Sequence, residues 1–167
     1  VVIIGLDPGI ATTGYGVVET SGSRVRAVAF GVVKTSPRSA HANRLATIHA
    51  AVAELAREHA ADGAAVEDLY IGPDPRSSLL LAQARGAAIA ALGTAGLEVG
   101  EYSVATIKNA VCGFGRAEKG QVSRMVRAIL ALDTEPANEH VADALAAAIC
   151  HAQHAGGRQR AAAGARA

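Results

Sequence analysis

Acidic residues on three separated stretches of the chain are its sharpest chemical signal. Asp7 closes the apolar run VVIIGLD, Glu67 and Asp68 close AAVED, and Asp143 interrupts the apolar stretch HVADALAAAI. A carboxylate at the end of a buried strand is costly unless it is paired or metal-bound, and strand ends in α/β sheets face an open crevice. The bland alternative for Asp7 is a turn aspartate held by the backbone around Gly9. Ends of neighbouring parallel strands lie about 5 Å apart, so one of Glu67 and Asp68 can face Asp7. Side chains alternate between the faces of a strand, and the local residues leave that choice open; both could also face solvent. Asp143 sits beside Ala142, Ala144 and Leu145, and charged groups are seldom buried without a partner. His140 lies three positions earlier, on the same helical face. A local His140–Asp143 pair is the structural alternative. Oxygen donors with one imidazole suit Mg2+ or Mn2+. Two such ions, about 3.5–4 Å apart, could activate water and stabilise the leaving oxygen of a phosphodiester.

The elements that must position these groups follow from periodicity. VVIIGLD reads as a buried central strand. Thr12 to Glu19 and Arg24 to Lys34 are two further extended runs, and the Ser21-Gly22 break between them suits a hairpin. Residues 39–59 form a helix, with Leu45, Ile48, Val52, Leu55 and Ala56 at helical spacing. The strand from Ala64 to Asp68 is parallel to the first because a helix carries the crossover. After a loop from Tyr70 to Arg76, a helix capped by Ser77 or Ser78 runs to about Gly93. Gln83, Gly86, Ala90 and Gly93 fall near one face of it, open to a second subunit or to the helix's own sheet. Leu97 to Tyr102 is a fifth strand, Val104 to Val111 a short helix, and CGFGRAEKG a basic turn. Gln121 to Leu132 is a helix, and Asn138 caps a last helix ending near His151. These elements predict one α/β domain over residues 1–154, a five-stranded mixed sheet flanked by helices. An alanine-, glycine- and arginine-rich tail, 155–167, is expected to be disordered.

Net charge is +1 over 167 residues, but it is unevenly placed. Between Glu101 and Leu132 stand Lys108, Arg116, Lys119, Arg124 and Arg127 against only Glu101 and Glu118. Such a segment can meet an anionic backbone while carboxylates elsewhere hold a cation. Lys108 and Lys119, which flank the basic turn, could contact phosphates or neutralise transition-state charge; solvated lysines are the usual alternative. Tyr70 could stack on an unpaired base or simply cover the site. Arg76, Arg116 and Arg124 are further candidate DNA contacts, and Arg85 is either a phosphate contact or an interface ion pair. Cys112 and Cys150 form no ligand cluster or redox pair and are read as reduced. The alanine-rich stretches are all broken by charged residues or glycine, so no membrane span is expected. The apolar start lacks signal-peptide features, so a cytoplasmic location is expected.

GLDPGIATTGYGVV, VED at Glu67, LLLAQARG around Arg85, GRAEKGQV and HVADALA together resemble the RuvC family of bacterial Holliday-junction resolvases, from Ile3 to about Ala152. The resemblance implies a homodimer with a ribonuclease-H-like fold that binds four-way DNA junctions. It implies symmetric, divalent-metal-dependent cutting of two opposing strands and contact with a branch-migration motor. Carried onto this chain it makes Asp7, Glu67 and Asp143 the metal ligands, with His140 in a fourth place where the best-known pattern has a carboxylate. It favours Glu67 over Asp68, gives Tyr70 a stacking role near the crossover, makes Lys108 and Lys119 important for cleavage, and puts the helix around Gln83 to Ala90 at the dimer interface. Histidine makes the site one charge less negative and adds a nitrogen donor, which predicts better use of manganese.

Two other functions compete. DPG…TGYG is weakly similar to the first phosphate loop of actin-like and sugar-kinase-like nucleotide hydrolases, which normally close two domains over the nucleotide. A non-catalytic protein that binds branched nucleic acid would use the basic segment, but four exposed acids would repel DNA without a cation.

Overall fold

The computed structural model describes residues 1–68 and 72–164, with side chains as far as Ala155. Strands β1 (Val2–Asp7), β2 (Thr12–Ser21) and β3 (Arg24–Lys34) are followed by α1 (His41–Glu58) and β4 (Gly63–Glu67). Then come α2 (Pro75–Thr94), β5 (Val99–Tyr102), α3 (Val104–Cys112), α4 (Lys119–Leu130) and α5 (Glu139–Gly164). The sheet order is β3-β2-β1-β4-β5. The first three strands form the expected antiparallel meander, and β4 and β5 continue the sheet in parallel with β1.

Strand alternation divides the core in two. Ile4, Leu6, Ala64 and Val66 pack on one face against Ile48, Val52 and Leu55 of α1 and Ala84, Ala88 and Leu92 of α2. Ile3 and Ala65 point to the other face, against Leu145, Ala148 and Ile149 of α5 and Val111 and Val126 of α3 and α4. By the same period of two, Asp7 and Glu67 lie on the α5 face.

Helix α5 lies directly on the sheet because both surfaces are pared down. A Cβ placed on Gly5 would stand 2.0 Å from the Ala144 carbonyl oxygen, and one on Gly14 would stand 2.0 Å from that of His140. Glycine on the strands and alanine on the helix let the backbones approach, and the start of α5 then sits over the end of β1.

Some boundaries differ from expectation. Asp74, not Ser77 or Ser78, caps α2: its carboxylate accepts from the Arg76 and Ser77 amides, and Pro75 takes the first helical position. The start of α4 is Lys119 rather than Gln121; the Gln121 Oε1 reaches back to accept from the Glu118 amide at 2.9 Å. The backbone of α5 runs to Gly164, past the expected end near His151. Alanine, the strongest helix former, carries it across Gly156 and Gly157. Among the described residues no helix is long and apolar enough to cross a membrane.

Candidate metal and nucleic-acid site

The open end of the central strands gathers the expected acids. Asp7 pairs in register with Gly14 of β2, beneath the backbone of His140. Glu67 follows Val66, the partner of Leu6, which puts the two carboxylates at adjacent strand ends and on the same face. Asp68 turns the other way; its side chain is 60% exposed. Alternation in β4 thus decides between Glu67 and Asp68, a choice the local residues left open. Asn138 Oδ1 accepts from the His140 amide at 2.9 Å, fixing the first turn of α5. Asp143 lies one turn further on.

His140 does not form the local pair with Asp143 that its spacing allowed. Its Nδ1 lies 2.6 Å from Asp7 Oδ2. A neutral ring with hydrogen on Nδ1 donates to the carboxylate and leaves the Nε2 lone pair available.

Burial and mutual repulsion define the electrostatics. Glu67 is pushed up to about 7, first by burial and then by the charges of Asp7 and Asp143. Asp143 is pushed up to about 6 by burial and by Asp7. Asp7 is also raised, by burial, against the opposing effect of its bond to His140. Three acids that each resist ionising, crowded at one sheet end, form a site suited to a cation. The chemistry of the donors, carboxylate oxygens and one imidazole nitrogen, fits Mg2+ or Mn2+. Among the described residues, no three His, Cys, Asp or Glu side chains form a ready-made cage. Hard cations of this kind are commonly held by one or two carboxylates together with substrate phosphate oxygens, so an open, incomplete shell is compatible with the reading.

Cationic groups border the acids. Lys119, at the first position of α4, forms an ion pair with Glu139 and acts electrostatically on Asp7, Asp143 and Glu67. Lys108, on α3, acts on Glu67. Arg116 in the turn and Arg124 on α4 are exposed, as is Arg76 in the first turn of α2. Tyr70 lies outside the described residues.

Arg85, read from the sequence as a phosphate contact or an interface ion pair, is engaged within the chain. Its side chain is only 15% exposed and is committed within the chain. The Nε donates to the Glu67 carbonyl oxygen at 3.1 Å, and Nη2 forms an ion pair with Glu101 and lies 3.6 Å from Asp68. That guanidinium joins α2 to the ends of β4 and β5. Gly14 is not among the residues singled out from the sequence, because its close approach to His140 depends on a strand–helix contact between distant parts of the chain.

Comparison with known proteins identifies the family and the fold. The family model described as crossover junction endodeoxyribonuclease RuvC matches residues 3–151. A RuvC from Burkholderia multivorans is 49% identical over 150 residues, covering 90% of this chain and 82% of that protein. One from Burkholderia vietnamiensis is 49% identical over 154 residues, covering 92% and 84%. Among solved structures, RuvC of T. thermophilus in complex with a Holliday junction substrate superposes with a TM-score of 0.87 at 37% identity, covering 92% of this chain and 94% of that one. The yeast mitochondrial Holliday junction resolvase shares the fold at 11% identity, with a TM-score of 0.65 and coverage of 92% and 80%.

Proposed function

The chain belongs to the RuvC family of crossover junction endodeoxyribonucleases, and on that footing we propose how its own residues resolve a four-way DNA junction. It is a structure-selective endonuclease on a ribonuclease-H-like fold. The observation that carries the mechanism is the crowding of Asp7, Glu67 and Asp143 at one sheet end, bordered by Lys108 and Lys119.

Asp7, Glu67, Asp143 and His140 would hold Mg2+ or Mn2+, two ions per site. Bound there, such cations would offset the charge of the scissile phosphate and lower the pKa of a water molecule so that it gives up a proton and can act as the nucleophile. Asp7, which acts electrostatically on both Glu67 and Asp143, would be the central carboxylate of that set. His140 orients it through the Nδ1 hydrogen bond and offers Nε2 as a fourth donor. Lys119 exchanges Glu139 for a phosphate oxygen as DNA arrives, and Lys108 approaches from the Glu67 side; both offset charge that grows on the phosphate. Hydrolysis leaves a 5′-phosphate and a 3′-hydroxyl with no covalent protein–DNA intermediate. Arg76, Arg116 and Arg124 extend the cationic surface along the backbone, and Tyr70 stacks near the crossover.

Two such sites acting on opposing strands require a homodimer. Helix α2 supplies the face: Leu79, Gln83, Gly86, Ala90 and Gly93 recur at the spacing of a helix–helix seam. Leu79 is 65% exposed, and a Cβ added to Gly86 or Gly93 would meet nothing within 4 Å. The nuclease unit is the segment 1–154, with the tail 155–167 outside it. A cytoplasmic setting and engagement with a branch-migration motor complete the proposal.

The test is cleavage of a mobile four-way DNA junction with Mg2+ or Mn2+, beside matched duplex, single-stranded DNA and an RNA–DNA hybrid. Paired symmetric nicks in the junction alone are expected. Junction binding without cleavage under either metal would favour a purely structural role.

A further inference from the structure

We propose that Arg85 is a positioning residue for Glu67, setting the aim of that carboxylate from behind the strand. The inference rests on the metal-dependent reading above. Glu67 ends β4, and its carbonyl lies where the ladder with β1 has stopped after Leu6–Val66. The ladder with β5 continues to Glu67–Tyr102, but the β1 side is open there, and Arg85 Nε donates to this part-buried carbonyl at 3.1 Å, satisfying an acceptor that is costly to leave unpaired away from water. The same guanidinium is tied to Glu101 on β5, the residue opposite Val66. One planar fork therefore fastens three elements, α2, β4 and β5, at the level of the site.

The geometry separates this role from direct chemistry. Arg85 reaches the backbone of Glu67, while the Glu67 carboxylate belongs to the opposite side, with Asp7 and Asp143. Rotation of that peptide would swing the carboxylate away from Asp7. Misplacement of a reacting group by about 1 Å can cost about a hundredfold in rate. Lysine cannot reproduce the fork, because a single ammonium lacks the two parallel donors.

The test uses full-length Arg85→Met, Arg85→Lys and Glu101→Ala proteins. In R85M the hydrophobic stem remains but both fastenings are lost. The expected result is four-way junction binding within about twofold of the parent. Single-turnover cleavage should fall about 10–100-fold, with the Mn2+ concentration for half-maximal rate raised severalfold, the range for loss of groups that orient a metal site. R85K should restore little of this. E101A, which removes only the outer fastening, should shift both quantities in the same direction by less, and it serves if R85M fails to fold. The rise in melting temperature on adding Mn2+ to the DNA-free proteins should shrink in the same order. A merely structural role would lower the melting temperature without moving the metal dependence. Folded R85M and E101A proteins with parental metal dependence would overturn the proposal. So would loss of junction binding together with cleavage, which would make Arg85 a phosphate contact. If the parent protein cleaved no junction, the proposed function would fail, while the Mn2+-dependent melting shift would still report on Arg85.

Discussion

His140 Nδ1 and Asp7 Oδ2 stand 2.6 Å apart, joining the last helix to the first strand across 133 residues of sequence. This contact turns a strand-end acid and a helix-start histidine into one unit. His140→Ala should therefore lower junction cleavage by about 10–100-fold, as loss of an orienting partner does, while junction affinity changes little. His140→Asp should remain active and shift preference from Mn2+ toward Mg2+, because an oxygen donor replaces nitrogen. Rates of the three proteins across both metals check this; an unchanged metal preference in H140D would remove the histidine from the metal shell.

Asp7→Asn preserves size and removes the charge that Glu67 and Asp143 share. Cleavage should fall about a thousandfold, comparable to loss of a major electrostatic group, with junction binding retained. Gel-shift titration and single-turnover kinetics on one substrate separate the two. Cleavage within about tenfold of the parent would exclude Asp7 from the metal-holding set.

The acids also make the metal-free protein less stable as pH rises toward neutrality. Glu67 at about 7 and Asp143 at about 6 hold protons that the unfolded chain releases near its ordinary carboxylate values. Between about pH 4.5 and 7 the folded state therefore binds more protons, so stability contributed at these positions falls as pH rises. In chelator the melting temperature should decline from pH 5 to pH 8, and Mg2+ or Mn2+ should restore most of the loss at pH 8. Metal that stabilises equally at both pH values would contradict the shared origin.

Gly14 and His140 test the packing. A methyl group at position 14 would meet the His140 carbonyl oxygen at 2.0 Å, so Gly14→Ala must push the start of α5 off β2. Overpacking of this kind costs about 1–3 kcal/mol. Cleavage should fall beyond what the lost stability explains, since the His140–Asp7 bond is stretched. Thermal melting with cleavage assayed well below the transition distinguishes the two effects.

Much of this was legible in the residues, for identifiable reasons. A continuous apolar run ending in aspartate announces a central strand with an acid at its tip, and Asp143 stands out because its neighbours on the helix are small and apolar. The hairpin and the parallel crossover follow from Ser21-Gly22 and the helix before Ala64. What was not legible depends on contacts between distant parts of the chain. Nothing near Glu67 says whether it or Asp68 faces Asp7 until β4 is set in register with β1. Likewise Arg85 looks like any surface arginine until β4 and β5 place a carbonyl and Glu101 within its reach. The start of α2 differs from the expected Ser77 or Ser78 for a local reason: Asp74-Pro75 is a stronger helix opening than the serines that follow it.

Diffraction from crystals soaked in Mn2+, at a wavelength where manganese scatters anomalously, tests the central claim most directly. Anomalous density is expected at the end of β1, about 2.0–2.3 Å from oxygens of Asp7 and Glu67 or Asp143, the range for hard-cation coordination. The density should be absent from Asp7→Asn crystals. Manganese bound elsewhere, with these carboxylates left uncoordinated even when junction DNA is present, would contradict it.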